Sequence, residues 1–161
     1  MTHANTASTG LVEHAHEGES ISGRAGGHTL MTKATDDDTR GAYAFQHMTV
    51  APNFPWIPAH IHHNEDEAFY VLDGECAVRI GEQVHTLGAG TFALLPRGIA
   101  HSFANLGSVP AHVLVISSPG GIIRYFEEAA ALTNAAPTGR PDMAKLAALA
   151  ARYGIEYPNP Q

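Results

Sequence analysis

Eight short runs of β-favouring residues follow one another between positions 28 and 116, and Gly or Pro separates most of them. Runs of this length and spacing are typical of an all-β sandwich or barrel. The pair Asp73-Gly74 lies between two of the runs and predicts a tight turn. The predicted strands cover residues 28–33, 42–50, 68–72, 76–80, 83–87, 91–95, 101–104 and 111–116.

Composition divides the chain into three parts. Residues 1–23 are rich in small and polar residues with little apolar periodicity, which predicts a flexible N-terminal arm. Residues 24–118 hold the predicted barrel. Residues 119–161 form a third part in which helix formers predominate.

That third part contains two runs with helical spacing, residues 122–132 and 142–153. Pro141 precedes the second run and Gly154 follows it, which are the residues expected at the start and end of a helix. We expect this C-terminal helical extension to pack on the barrel or on a partner subunit.

The charge balance bears on the possible partners. The chain has 9 Lys and Arg against 16 Asp and Glu, and no basic cluster interrupts the acidic bias. Because nucleic-acid affinity comes largely from neutralised phosphates, we expect no nucleic-acid partner. The first residues lack the pattern of a signal peptide, and no apolar run has the length of a membrane span. We therefore expect a cytoplasmic protein without membrane contacts.

The chain contains 11 His, and two of them stand two positions apart at His60 and His62. Strand alternation sends both imidazoles to the same face. Glu67 follows after a short acidic loop and adds a carboxylate on the next predicted strand. Two nitrogen donors and one oxygen donor suit a first-row transition metal better than Ca²⁺ or Mg²⁺.

A second segment supplies a fourth candidate ligand. Pro96 and Gly98 predict a sharp turn between two strands, and His101 begins the return strand. His101 would join the other candidate ligands if this strand runs beside the strands that carry them.

Together the two segments resemble the paired motifs of the cupin superfamily. The first segment reads HxH, four residues, Glu, six residues, Gly; the second reads Gly, five residues, Pro-x-Gly, two residues, His, three residues, Asn, ending at Asn105. The chain departs from the pattern at Phe54, where a Gly often opens the first motif. The resemblance implies a small single-domain cupin: an antiparallel jelly-roll β-barrel whose metal ligands are His60, His62, Glu67 and His101.

The resemblance also implies one divalent transition metal ion, which could be Fe, Ni, Mn, Co, Cu or Zn, with coordination positions left open. The segment SPGGIIRYFEE, which begins at Ser118, is similar to the segment after the barrel in bacterial quercetinase-like monocupins. This similarity implies a dioxygenase that acts on a flavonol-like, enol or aromatic small molecule, with dioxygen as second substrate. In that mechanism Glu67 is either the general base or a passive ligand.

Two alternatives stay open. One is a non-redox isomerase, cyclase or lyase of secondary metabolism in which His47 or His112 moves protons. The other is a non-catalytic cupin that binds a small molecule. The family resemblance also implies a homodimer.

Alternation along the strands predicts an apolar, aromatic substrate pocket. Phe69 should share the face of Glu67, and Phe103 that of His101. The predicted pocket residues are Phe45, His47, Trp56, Phe69, Phe103 and His112.

Overall fold

The computed structural model describes residues 10–23, 27–136 and 142–158. The first nine residues of the predicted arm and Pro141 lie outside this range. The strands are β1 Glu19–Ser22, β2 His28–Ala34, β3 Ala44–Val50, β4 Ile61–His62, β5 Asp66–Asp73, β6 Glu75–Ile80, β7 Gln83–Gly88, β8 Phe92–Leu95, β9 His101–Ala104, β10 Ala111–Ser118 and β11 Ile155–Glu156. The helices are α1 Asp36–Thr39, α2 Ile123–Asn134 and α3 Met143–Arg152.

Two antiparallel sheets form the barrel. The larger sheet has the order β1-β2-β3-β10-β5-β8, and the smaller has the order β7-β6-β9. Isolated backbone pairings of Phe54 with Asn105 and of His60 with His101 continue the smaller sheet beyond β9. The all-β barrel expected from the sequence is confirmed, and each of the eight predicted strands is present with small shifts at its ends.

The core lies between the two sheets, and strand alternation selects its residues. In β3 the buried positions are Ala44, Gln46, Met48 and Val50, whereas Phe45 and His47 between them are only partly buried. Side chains from the two sheets meet in one apolar cluster that includes Phe69, Val78, Leu95, Phe103 and Val113. The residues on the inner face of each strand therefore recur at every second position.

The described end of the predicted N-terminal arm belongs to the larger sheet. Strand β1 pairs with β2, with Glu19 opposite Thr32. The Nζ atom of Lys33 also donates to the backbone carbonyl oxygens of His14 and Glu17. Because β1 has only four residues and buries only Ile21, its sequence lacks the repeated alternation that identifies longer strands.

The C-terminal extension packs on the barrel of the same chain. Helices α2 and α3 enclose an apolar cluster with Tyr125 and Leu149, and Ala130 of α2 reaches the barrel core. The Asp142 side chain caps α3 by accepting hydrogen bonds from the backbone N–H groups of Ala144 and Lys145. Strand β11 then pairs with β4.

Within the described ranges, no helix combines the length and apolar character needed to cross a bilayer.

Candidate metal centre

Three imidazoles converge inside the barrel. One ring nitrogen from each of His60, His62 and His101 lies within 4.8 Å of the others. All three side chains are buried, with His62 only 1 % exposed and His101 only 2 % exposed. His62 lies on β4 and His101 opens β9, and the two segments are neighbours because His60 pairs with His101.

The hydrogen bonds of two imidazoles fix which nitrogen is available to a ligand. Nδ1 of His60 lies 3.0 Å from the carbonyl oxygen of Pro58, and Nδ1 of His101 lies 3.1 Å from that of Ile99. Because a carbonyl oxygen only accepts, each Nδ1 carries the proton. The Nε2 lone pairs of both rings are therefore directed away from these bonds and remain able to bind a metal.

The unpaired nitrogens fit a cation. Both ring nitrogens of His62 and Nε2 of His101 are buried without a hydrogen-bond partner in the described part of the chain. Buried polar atoms are usually paired, and a missing ion is one accepted reason for an exception. The donor set, three imidazoles beside a carboxyl, matches the ligands preferred by first-row transition metals.

The imidazoles are held in the neutral form that binds metals. Burial, and then the neighbouring imidazoles, lower the pKa of His60 to about 3 and that of His62 to about 2. Burial also lowers the pKa of His101, although its bond to Ile99 acts in the opposite direction. Protons therefore do not compete with a metal for these nitrogens at neutral pH.

Glu67 lies beside the three imidazoles. Its Oε2 atom is 3.7 Å from Nε2 of His101, but Glu67 is not part of the set of three whose donor atoms all lie within 4.8 Å. Burial, and then the nearby Glu65 carboxyl, raise the pKa of Glu67 to about 8. A cation at the centre would favour the charged carboxylate. The role of Glu67 as a fourth ligand stays a prediction.

Glu65 is a further buried group, which belongs neither to the predicted ligands nor to the predicted pocket residues. Its side chain is 6 % exposed, and Oε2 has no hydrogen-bond partner among the described residues. In the sequence it belongs to an acidic loop next to the exposed His63, and nothing in that pattern distinguishes a buried carboxyl from a solvated one. Its effect is to make Glu67 harder to ionise.

A cavity of about 360 Å³ adjoins the three imidazoles, and His60 and Glu67 line it. The barrel supplies the apolar side chains of Leu30, Met48, Phe69 and Phe103. The C-terminal extension supplies the opposite part of the lining, from Tyr125, Phe126, Ala130, Leu146 and Tyr157.

Two of the six predicted pocket residues, Phe69 and Phe103, line this cavity. Phe45, His47 and His112 do not, because the inward positions of β3 and β10 are occupied by their sequence neighbours, such as Met48 and Val113. The expected inward orientation of Phe45, His47 and His112 is therefore corrected.

The outward position of His112 is evident from its partners. Its Nδ1 lies 3.3 Å from Nε2 of His47, so these two residues pair with each other outside the cavity. Trp56 also lies outside the cavity lining, and the guanidinium of Arg79 stacks 5.3 Å from the centre of its ring. The sequence pattern gives the alternation of a strand but not which of its two faces is inside.

The residues that the extension contributes to the cavity were missed at the sequence level. The apolar stripe of the second predicted helix includes Leu146 and indicated a packed face, but not that this face would border a cavity. Tyr157 follows that helix in a segment without periodicity.

Residues 46–117 match the Cupin_2 family model, which is described as a cupin domain. A curated relative, an uncharacterized protein of Streptomyces coelicolor, is 33% identical over 57 residues. This match covers 35% of the chain, and the chain spans about half the length of that relative, 53%.

Two solved structures share the fold. A predicted oxalate decarboxylase of Thermotoga maritima has a TM-score of 0.61 at 23% identity, and the match covers 68% of this chain and 99% of that one. The polyketide cyclase RemF of Streptomyces resistomycificus has a TM-score of 0.58 at 20% identity, covering 66% and 78% of the two chains. The expected jelly-roll fold is thereby confirmed.

Proposed function

We propose that this chain, which carries a cupin domain, is a metal-dependent dioxygenase that acts on a flavonol-like, enol or other aromatic small molecule. The observation that carries the proposal is the position of His60 and Glu67 in the wall of an apolar cavity of about 360 Å³. Sites with mostly apolar walls and few polar groups are typical of small-molecule pockets. A planar apolar compound with one oxygen directed at His60 and Glu67 suits this lining.

The residues that would hold the metal are His60, His62 and His101, with Glu67 as the fourth ligand. A bound transition-metal ion would supply a Lewis-acidic position for a substrate oxygen and, if redox-active, electrons for the reaction with dioxygen. The three neutral imidazoles and the unpaired nitrogen atoms of His62 support this assignment.

Glu67 is the proposed general base. Its carboxyl lies in the cavity wall and is 6 % exposed, so bulk water does not compete for a substrate proton. Burial raises its pKa in the metal-free site, whereas a bound cation would favour the charged carboxylate, which is the form that accepts a proton. In this role Glu67 takes the proton of an enol or phenol hydroxyl that lies next to it.

Dioxygen uptake tests the proposal. The protein is purified without oxygen, its metal content is measured, and a panel of flavonols and β-diketones is then added in an oxygen-electrode cell. We expect dioxygen and one of these compounds to disappear in equal amounts. Conversion of the compound without dioxygen uptake would refute the dioxygenase assignment.

A second candidate is a non-redox cyclase, isomerase or lyase. It is supported by the shared fold with a polyketide cyclase and by the volume of the cavity, about 360 Å³. Because His47 and His112 do not line the cavity, proton transfer in this reaction would also fall to Glu67. Conversion of a substrate in the absence of dioxygen would select this candidate.

A non-catalytic small-molecule binder is the third candidate. Ligand-induced thermal stabilisation without conversion of any compound would favour it.

The homodimer expected from the family resemblance stays a prediction as well, and the molecular mass in solution tests it.

A further inference from the structure

The C-terminal strand places a tyrosine next to the candidate metal centre. In the pairing of β11 with β4, Ile155 lies opposite His62 and Glu156 lies opposite Ile61. The same antiparallel register, continued by one residue, brings Tyr157 opposite His60. The two rings are close neighbours, with centroids 5.9 Å apart. Tyr157 therefore owes its position to the backbone pairing with the ligand-bearing segment.

A second tyrosine, Tyr125, fixes the position of the Tyr157 hydroxyl by a hydrogen bond. The hydroxyl oxygens of Tyr125 on α2 and Tyr157 are 2.6 Å apart, and both residues line the cavity. Tyr125 is 4 % exposed and packs in the apolar cluster of the extension. The hydroxyl pair is thus fixed from two sides, by a buried helix and by a paired strand.

The hydrogen bond between the two hydroxyls leaves one hydroxyl hydrogen of the pair without an acceptor. Each hydroxyl carries one hydrogen, and the bond between them uses one of the two. Among the residues that the structure describes, neither hydroxyl has a further hydrogen-bond partner. Thr133, another hydroxyl residue of the cavity lining, differs in this respect because it donates to the carbonyl oxygen of Ala129 at 2.8 Å.

We propose that the Tyr125–Tyr157 pair is a substrate-binding group that donates a hydrogen bond to a ketone or enol oxygen of an aromatic ligand. It deepens the proposed function and rests on it, since it assigns substrate recognition to the same cavity. The ligand's oxygen lies between Tyr157 and His60, and its apolar body lies against Phe69, Phe103 and Phe126. The C-terminal extension is then part of the binding site and not only a cover over the barrel.

The chemistry of the lining selects this ligand class. A hydroxyl hydrogen in an apolar cavity needs an acceptor, and an oxygen-free ligand would leave it unpaired at a cost in affinity. A sugar has many hydroxyls that these apolar walls would leave unpaired as well. A planar compound with one or two oxygens at one end meets both conditions.

A matched pair of probes tests the inference. Binding of 2-acetylnaphthalene, which has a ketone oxygen, is compared with binding of 2-isopropylnaphthalene, which has nearly the same shape without it. Calorimetry is done on the full chain with its metal as purified. For Tyr157→Phe we expect about five- to tenfold weaker binding of the ketone and less than a twofold change for the hydrocarbon. Equal effects on both probes, or no effect on either, would overturn the inference.

Two further variants sharpen the result. Tyr125→Phe should weaken binding of the ketone, and adding it to Tyr157→Phe should cause no further loss, because the pair acts as one unit. Tyr153→Phe is the control, since Tyr153 belongs to the same segment but directs its hydroxyl to Glu128 and does not line the cavity. It should leave both affinities unchanged.

These measurements separate the inference from the proposed function. A ketone-specific loss of binding in a protein that consumes no dioxygen would retain the tyrosine pair and reject the dioxygenase. Dioxygen uptake together with an equal effect of Tyr157→Phe on the affinities of both probes would retain the dioxygenase and reject the tyrosine pair.

Discussion

His60 and His101 are directly opposite each other on antiparallel segments and exchange two backbone hydrogen bonds. The N–H of His60 donates to the carbonyl oxygen of His101 at 3.0 Å, and the N–H of His101 donates to that of His60 at 2.9 Å. Their side chains leave the same face, and the ring centroids are 4.5 Å apart. The backbone therefore brings together two candidate ligands that are far apart in sequence, and a metal would meet a site that is largely formed in advance.

His62→Ala should remove most of the metal. His62 is almost fully buried and both of its ring nitrogens lack another partner among the described residues, which supports the proposed role of this side chain as a metal ligand. We expect an affinity loss of more than about 100-fold, since even second-sphere partners of ligands contribute about 10- to 100-fold. Metal analysis of the purified protein measures this.

His85→Ala is the matched control for that variant. His85 lies on β7 with an exposed side chain, so its removal should leave the metal content unchanged. Equal metal contents of the His62 variant and the wild type would contradict the three-imidazole site.

Glu67→Gln should separate metal binding from turnover. The amide keeps the shape of the side chain and one oxygen donor, so part of the metal is retained, but it cannot take a proton. We expect the turnover rate to fall by about 100- to 10,000-fold, the usual contribution of a general base. Metal content and turnover are measured on the same preparation, and full activity of this variant would exclude the role as a base.

The sequence predicted the strands well because each is a run of β-favouring residues that ends at turn residues such as Gly74 and Pro96. The candidate ligands were found in the same way, from fixed spacings. The departure from the motif at Phe54 has a structural explanation: this side chain is buried in the core and contacts the rings of His28 and Phe103. The fold therefore does not need the glycine that often opens this motif.

The rest of the site depends on long-range pairing that periodicity does not encode. The alternation in β3 identified two faces correctly, but it does not show which face is the inner one, and Phe45 and His47 were assigned to the wrong face. Strand β11 has only two residues, and its pairing with β4 joins positions almost a hundred residues apart. No local sequence pattern predicts such a pairing, so the contribution of Tyr157 to the cavity could not be predicted.

Without metal, stability should be greatest near pH 6.5. Below this pH the unfolded state binds protons at His60 and His62, whose pKa values of about 3 and about 2 are far below the ordinary 6.5, so stability falls as the pH falls. Glu67, with its pKa raised from 4.5 to about 8, acts in the opposite sense: stability falls as the pH rises through this interval. Between pH 4.5 and 6.5 the two imidazoles raise the unfolding free energy with increasing pH by more than the one carboxyl lowers it, so stability increases up to pH 6.5.

Urea unfolding of the metal-free protein at pH 5.5, 6.5 and 8 measures this dependence. The Glu67→Gln variant should lose the decline above pH 6.5 and keep the decline below it, because only the carboxyl has been removed. A stability that still rises between pH 6.5 and 8 in the wild type would contradict the raised pKa of Glu67.

Asn105→Ala should destabilise the fold without removing a ligand. The fully buried side chain donates to the carbonyl oxygens of Val50 and Val109, at 3.1 and 2.8 Å, and accepts from the N–H of Gly107 at 2.9 Å. Leaving these groups unpaired should cost about 2–4 kcal/mol of unfolding free energy. Asn134→Ala, which removes one exposed bond to Ser22, should change it by less than about 0.5 kcal/mol. Similar losses in the two variants would contradict a structural role of the motif asparagine.

Gly154→Ala should weaken both the attachment of the extension and the metal site. Gly154 has a φ of +71°, and a Cβ atom there would lie 2.3 Å from Nδ2 of Asn64. Its carbonyl oxygen accepts the N–H of His63, next to the candidate ligand His62, at 2.8 Å. We expect a loss of about 1–3 kcal/mol in unfolding free energy and a measurable loss of metal affinity, because a side chain strains the positive φ of Gly154 and its Cβ atom displaces the Asn64 amide, which donates to the carbonyl oxygen of Tyr153 at 3.1 Å.

The control for this variant is Gly41→Ala in the turn between α1 and β3, away from the segments that carry the candidate ligands. Gly41 also has a positive φ, +81°, but a Cβ atom there would meet no atom within 4 Å. It should lose about 1–2 kcal/mol from backbone strain alone and keep the wild-type metal affinity. If both variants bind metal as the wild type does, the extension does not support the candidate centre; if only Gly154→Ala binds it more weakly, the pairing of β11 with β4 is part of what holds His62 in place.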